Sequence, residues 1–172
     1  MHNLKFPSSL KKLILEGSRL QWEDMTMIGS LPYLEVLKLE FGSVNGPEWK
    51  PVEGEFIRLK MLKIHCVDLI YWNADNFHFP VLEELVLGSM SELEEIPLGI
   101  GEIPTLKLIC LYYCSESSVI SAMRIVEEQE SLGNEGLRVL VEFWDEGKLE
   151  SFWAKVEPES FRSDNFQVRA TL

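Results

Sequence analysis

An α/β solenoid is the fold class this sequence predicts, and three observations predict it. Five segments fit one apolar template: Leu10-x-x-Leu13-x-Leu15, Leu34-x-x-Leu37-x-Leu39, Leu59-x-x-Leu62-x-Ile64, Leu82-x-x-Leu85-x-Leu87 and Leu106-x-x-Ile109-x-Leu111. Their starts fall 24, 25, 23 and 24 residues apart. Four of them follow an apolar residue and a proline: Phe6-Pro7, Leu31-Pro32, Phe79-Pro80 and Ile103-Pro104. A period of about 20–29 residues on this template is that of a leucine-rich repeat array. The expectation is five repeats with parallel strands on a concave side, a mostly irregular convex side, and a C-terminal cap made of a helix and a strand.

Each element has its reason. Two apolar residues two apart on a strand face the same side, and the leucine three residues earlier turns in where the chain enters the strand. One coil cannot bury this set alone, so neighbours stack. A consensus Asn or Cys three residues after the last leucine is met only by Cys114; Ser18, Gly42, Val67 and Met90 hold that place elsewhere. The return segments vary. Residues 24–30 suit a helical turn, and residues 42–54, with Asn45-Gly46-Pro47, suit an irregular loop. Leu93, Ile96, Ile100 and Ile103 continue the fourth repeat at three- or four-residue steps.

After the fifth strand the period changes. Val119, Ala122, Met123 and Val126 fall at i, i+3, i+4 and i+7, so a helix is expected over about 118–131, capped by Ser117 or Ser118 and ended by Gly133. A last strand is expected over about 137–143. Residues 1–143 thus form the repeat domain with its cap. Residues 144–172 read as a poorly ordered acidic tail carrying Trp144, Phe152, Trp153, Phe161 and Phe166 without period. Because residue 6 already opens a repeat, the chain is expected to be the C-terminal piece of something longer.

Composition bounds the function. The 172 residues are 46% apolar and 26% charged, which is globular, and the net charge of −12 disfavours nucleic acid or an anionic membrane as partner. Apolar runs fall short of the roughly 18 residues a spanning helix needs. No cationic leader precedes an apolar run, and the three cysteines, Cys66, Cys110 and Cys114, suit a reducing, cytoplasmic setting.

Catalytic signatures are missing from the sequence. There is no phosphate-binding Gly-x-x-x-x-Gly-Lys, no His-Glu-x-x-His and no Gly-x-Ser-x-Gly. Gly99-x-Gly101 runs into Glu102-Ile103-Pro104 and reads as a turn. His2, His65 and His78 have no metal-ligand spacing; Cys110 and Cys114 read as structural, and Glu92, Glu94 and Glu95 as a solvated turn. No catalytic, cofactor or metal residue, and no small-molecule substrate, is therefore expected. Trp22, Trp49 and Trp72, standing 12, 15 and 13 residues after their strand-start leucines, either form an exposed ladder or fill the back of the coils; filling is the simpler reading.

The surface expected to work is the concave wall. Its central column is Ile14, Lys38, Lys63, Val86 and Cys110. The first three strands are charged, whereas Val86, Leu108, Cys110, Tyr112 and Tyr113 make the last two more apolar. An exposed apolar patch beside Lys38 and Lys63 suggests a protein contact surface.

The stretches Phe6-Pro-Ser-Ser-Leu-Lys-Lys-Leu, Leu31-Pro-Tyr-Leu-Glu-Val-Leu-Lys-Leu, Gly46-Pro-Glu-Trp49 and Phe79-Pro-Val-Leu-Glu-Glu-Leu resemble the C-terminal repeats of plant coiled-coil nucleotide-binding leucine-rich-repeat immune receptors. Leu93-Glu-Glu-Ile-Pro, Ile103-Pro-Thr-Leu and Glu127-Glu-Gln-Glu before Gly133-Asn134 extend the likeness over residues 4–143, nearest to the late-blight-resistance and helper-type receptors of nightshades. The resemblance implies an intracellular immune switch. ADP or ATP would bind only a nucleotide-binding domain missing from this chain. The repeats would hold that domain closed or recognise a pathogen effector or a guarded host protein. The alternative class is the substrate-recruiting region of an F-box ubiquitin-ligase subunit.

Overall fold

The computed structural model describes residues 4–156 and 163–171; His2 and Phe161 lie outside them. In chain order the elements are β1 (Lys12–Glu16), β2 (Leu20–Gln21), a 3-10 turn (Trp22–Asp24), α1 (Met25–Gly29), β3 (Val36–Glu40), β4 (Val44–Asn45) and β5 (Glu48–Trp49). There follow β6 (Met61–His65), β7 (Tyr71–Trp72), β8 (Glu84–Gly88), α2 (Leu98–Gly101), β9 (Leu108–Tyr112) and α3 (Glu116–Ser131). The chain ends with β10 (Arg138–Phe143), α4 (Glu146–Lys155) and β11 (Phe166–Ala170).

The expected five-repeat solenoid is overturned. What forms is one seven-stranded parallel sheet in the order β1-β3-β6-β8-β9-β10-β11, with few and mostly short helices. The template dictates which strands meet: Leu13 pairs with Leu37, Leu37 with Leu62, Leu62 with Leu85 and Leu85 with Ile109, all parallel. It does not dictate how the return segments close. They supply only two two-stranded ladders, β2-β4 and β5-β7, beside α1 and α2.

Burial follows the alternation. Leu37, Leu62, Leu85 and Ile109 are fully buried, while Leu13, on edge strand β1, is half-buried. Behind the sheet the tryptophans fill space: Trp49 lies between Trp22, at 4.8 Å and 20°, and Trp72, at 5.8 Å and 4°. Gly46, at φ 118°, passes so close to the Trp22 ring that a side chain there would press on it, and its carbonyl accepts the Trp22 Nε1 proton at 2.7 Å.

Helix α3 starts earlier than expected. Its cap is Ser115, not Ser117 or Ser118, and the Ser115 hydroxyl accepts the Ser118 N–H while donating to the Leu93 carbonyl. Gly133, at φ 85°, follows the helix end as expected. The segment after Phe143, in which the sequence shows no period, carries α4 and the seventh strand. Phe152 packs against Phe143 and Phe166, and β11 pairs with β10 through Val139–Phe166 and Val141–Val168. The signal is missed because three aromatics in two short elements establish no repeat. No helix of the described residues is long and apolar enough to cross a membrane.

Candidate functional site

One face of the sheet is the core; the other carries the residues singled out for binding. Register sets the opposite face in rows. The central row is Ile14, Lys38, Lys63, Val86, Cys110, Leu140 and Gln167. On one side of it run Lys12, Val36, Met61, Glu84, Leu108 and Arg138; on the other run Glu16, Glu40, His65, Gly88, Tyr112, Glu142 and Arg169. Lys38, Lys63, Val86, Leu108 and Tyr112 stand half-buried on this face. Helix α4 packs on the core side, since its partners Phe143 and Phe166 point there.

Two of the expected residues behave differently. Cys110 sits in the central row yet is only 5% exposed, because a small side chain stands between the larger Val86 and Leu140. Burial pushes its thiol above the ordinary 9.0, and burial raises the neighbouring Tyr112 phenol as well. Tyr113 is not on the strand. It holds φ 58°, the left-handed region, just after β9, and turns toward the tail. Its ring stacks on Trp144 with centroids 3.8 Å apart, and its hydroxyl donates to Glu142 Oε1 at 2.8 Å.

Glu142 gathers that corner. Its carboxylate also accepts from Thr171 Oγ1 at 2.9 Å and Arg169 Nε at 2.7 Å. The Tyr113 hydrogen bond first, then those from Thr171 and Arg169, hold it below the usual 4.5. A cleft of about 430 Å³ opens there, against Arg138, Leu140, Gln167 and Tyr112. A second cleft, of about 320 Å³, is lined by Lys38, Lys63, His65, Val86, Tyr112 and Tyr113 among others. Sequence reasoning missed Leu140, Glu142 and Arg169; the alternation of β10 could have found the first two.

The remaining candidates do not converge. Trp22, Trp49 and Trp72 are buried, so they form no exposed ladder. Cys66 is exposed, Cys114 points its thiol at the Leu87 carbonyl, and Glu92, Glu94 and Glu95 lie open to solvent. Among the described residues, no three His, Cys, Asp or Glu side chains are grouped as a metal ion would require.

No family model matches the chain. Among known proteins it is 43% identical over 118 residues to late blight resistance protein R1-A of Solanum demissum, covering 66% of this chain and 9% of that protein. It is 42% identical over 125 residues, 70% of this chain and 10% of the relative, to a putative late blight resistance protein homolog of the same plant. To another putative late blight resistance protein homolog, also of Solanum demissum, it is 41% identical over 142 residues, 79% of this chain and 11% of that relative. The chain spans about a tenth of the length of the curated relatives it matches.

Proposed function

We propose that this chain, which belongs to the late blight resistance proteins of plants, is a protein-docking segment of an intracellular nucleotide-binding leucine-rich-repeat immune receptor and works in defence against disease. The observation that carries the reading is the open sheet face. Val86, Leu108, Leu140 and Tyr112 form a contiguous, half-exposed apolar strip across β8, β9 and β10. Strips of this kind, with tyrosine among them and charge around them, are what protein interfaces bury.

The occupants in the receptor are its own nucleotide-binding domain at rest, or a pathogen effector or guarded host protein on recognition. The segment itself is no enzyme and holds no nucleotide; ADP or ATP belongs to the nucleotide-binding domain. The relatives' names favour this class over the F-box alternative.

Leu108→Glu together with Tyr112→Glu tests the proposal. Neither residue belongs to the core set, so the isolated chain should keep its melting behaviour. In the full-length receptor the pair should release resting-state inhibition or abolish the response. A wild-type resting state together with a wild-type response refutes the reading.

A further inference from the structure

The charge on the docking face is opposite to the charge of the chain. Lys12, Lys38, Lys63, Arg138 and Arg169 stand on it against Glu16, Glu40, Glu84 and Glu142, a balance of +1 in a chain of −12. Internal pairing does not cancel the cations evenly. Glu40 is taken by Lys63 at 3.0 Å and Glu142 by Arg169; of the rest, three cations (Lys12, Lys38 and Arg138) and two carboxylates (Glu16 and Glu84) make no ion pair among the described residues.

The imbalance is sharpest at the smaller cleft. Lys38 and Lys63 are direct neighbours in register, about 4.8 Å apart across the ladder. His65 adds an imidazole to the lining, the Tyr112 and Tyr113 rings line it as well, and none of the lining residues is a carboxylate. Gly88 makes the floor possible: a side chain there would meet the His65 ring at 2.6 Å, so only glycine lets the imidazole lie across β8. His65 Nδ1 is shielded from solvent and has no hydrogen-bond partner. Met61 and Val86 leave apolar surface between these polar groups.

We infer that the partner segment docked on this face is an acidic one: an extended stretch whose carboxylate meets Lys38, beside the Lys63–Glu40 pair, and whose apolar side chains cover Val86 and Leu108. The inference rests on the docking reading and adds the chemistry of the partner. Complementary charge selects the partner and speeds encounter, and the net negative charge of the rest of the chain disfavours the same segment elsewhere.

The probe is a fluorescein-labelled dodecapeptide alternating Glu and Leu, with a Lys–Leu counterpart, titrated into the intact chain by fluorescence anisotropy and by NMR of the histidine side chains. The Glu–Leu peptide should bind, shift the His65 resonances and weaken as salt rises. Lys38→Glu should lower its affinity roughly tenfold, and Lys38→Arg should leave it unchanged. Equal binding of the Lys–Leu peptide, no binding of the Glu–Leu peptide, or indifference to Lys38→Glu each overturns the inference. The docking reading is judged separately: if Leu108→Glu with Tyr112→Glu still alters the receptor, the face docks a partner and only its acidic character is refuted.

Discussion

Trp49 is the side chain whose removal should damage this fold most. It is 1% exposed, stacked on one side by Trp22 and on the other by Trp72, and met edge-on by Phe56 and Phe79 at 6.1 and 5.7 Å. Truncating a buried tryptophan to alanine costs about 3–5 kcal/mol through lost transfer energy and the cavity left behind. Aromatic pairs add about 0.5–1.5 kcal/mol each beyond burial, so Trp49→Ala belongs near the top of that range, about 5 kcal/mol. A domain holds about 5–15 kcal/mol in all, so the variant stands close to unfolding. Trp49→Phe, which keeps the edge contacts, should lose roughly 1–2 kcal/mol and stay measurable. The internal contrast is Trp144, 59% exposed and, among the described residues, stacked only on Tyr113, where alanine should cost about 0.5–1.5 kcal/mol. Urea titrations followed by far-UV circular dichroism read all three. If Trp49→Ala loses no more than Trp144→Ala, the packing account behind the sheet is wrong.

Two further outcomes follow from the side-chain environments. Iodoacetamide at pH 8 should label exposed Cys66 first; burial pushes Cys114 up to about 11, leaving about one thiolate in a thousand there, and Cys110 is buried and also raised. Mass spectrometry should find one adduct on the native chain and three in urea; labelling of Cys114 as fast as Cys66 would contradict the burial. Glu142 titrates below its ordinary 4.5, so its contribution is full above that value and lost as pH falls through the folded one. The stability gap between wild type and Glu142→Gln should therefore be widest near neutrality and close below pH 4.5; a gap that does not change with pH rules the Tyr113–Glu142–Arg169 cluster out as its source.

Strand pairing was legible because Leu-x-Leu fixes both the inward face and the register: both apolar residues of each Leu-x-Leu meet their counterparts in the next strand. The same alternation located Lys38, Lys63, Val86, Leu108 and Tyr112 on the open face. What it could not convey is side-chain size in three dimensions, which buries Cys110 between Val86 and Leu140. The closure of the return segments and the seventh strand were illegible for a different reason. Phe166 and Val168 alternate over one strand only, and their partners Val139 and Val141 lie 27 residues earlier, so no period reports the pairing.

The turn that ends each strand was illegible as well, and it shapes the candidate site. The residue just after β1, β3, β6, β8 and β9 has positive φ in every case: Gly17, Phe41, Cys66, Ser89 and Tyr113. Four of the five are not glycine, at a cost of about 1–2 kcal/mol each. The ladder continues through that strain. Gly17, Phe41, Cys66, Ser89 and Tyr113 donate their N–H groups to the carbonyls of Phe41, His65, Gly88, Tyr112 and Glu142 in the neighbouring strands. A left-handed residue at this point reverses the chain without giving up the last hydrogen bond, and it throws its side chain outward at the margin of the open face. Two of those side chains are aromatic and are used there: Phe41 packs edge-on against His65 at 4.6 Å, and Tyr113 stacks on Trp144. The backbone strain and the shape of the docking face therefore have one source, the side chains that four of these five strand ends carry in place of glycine.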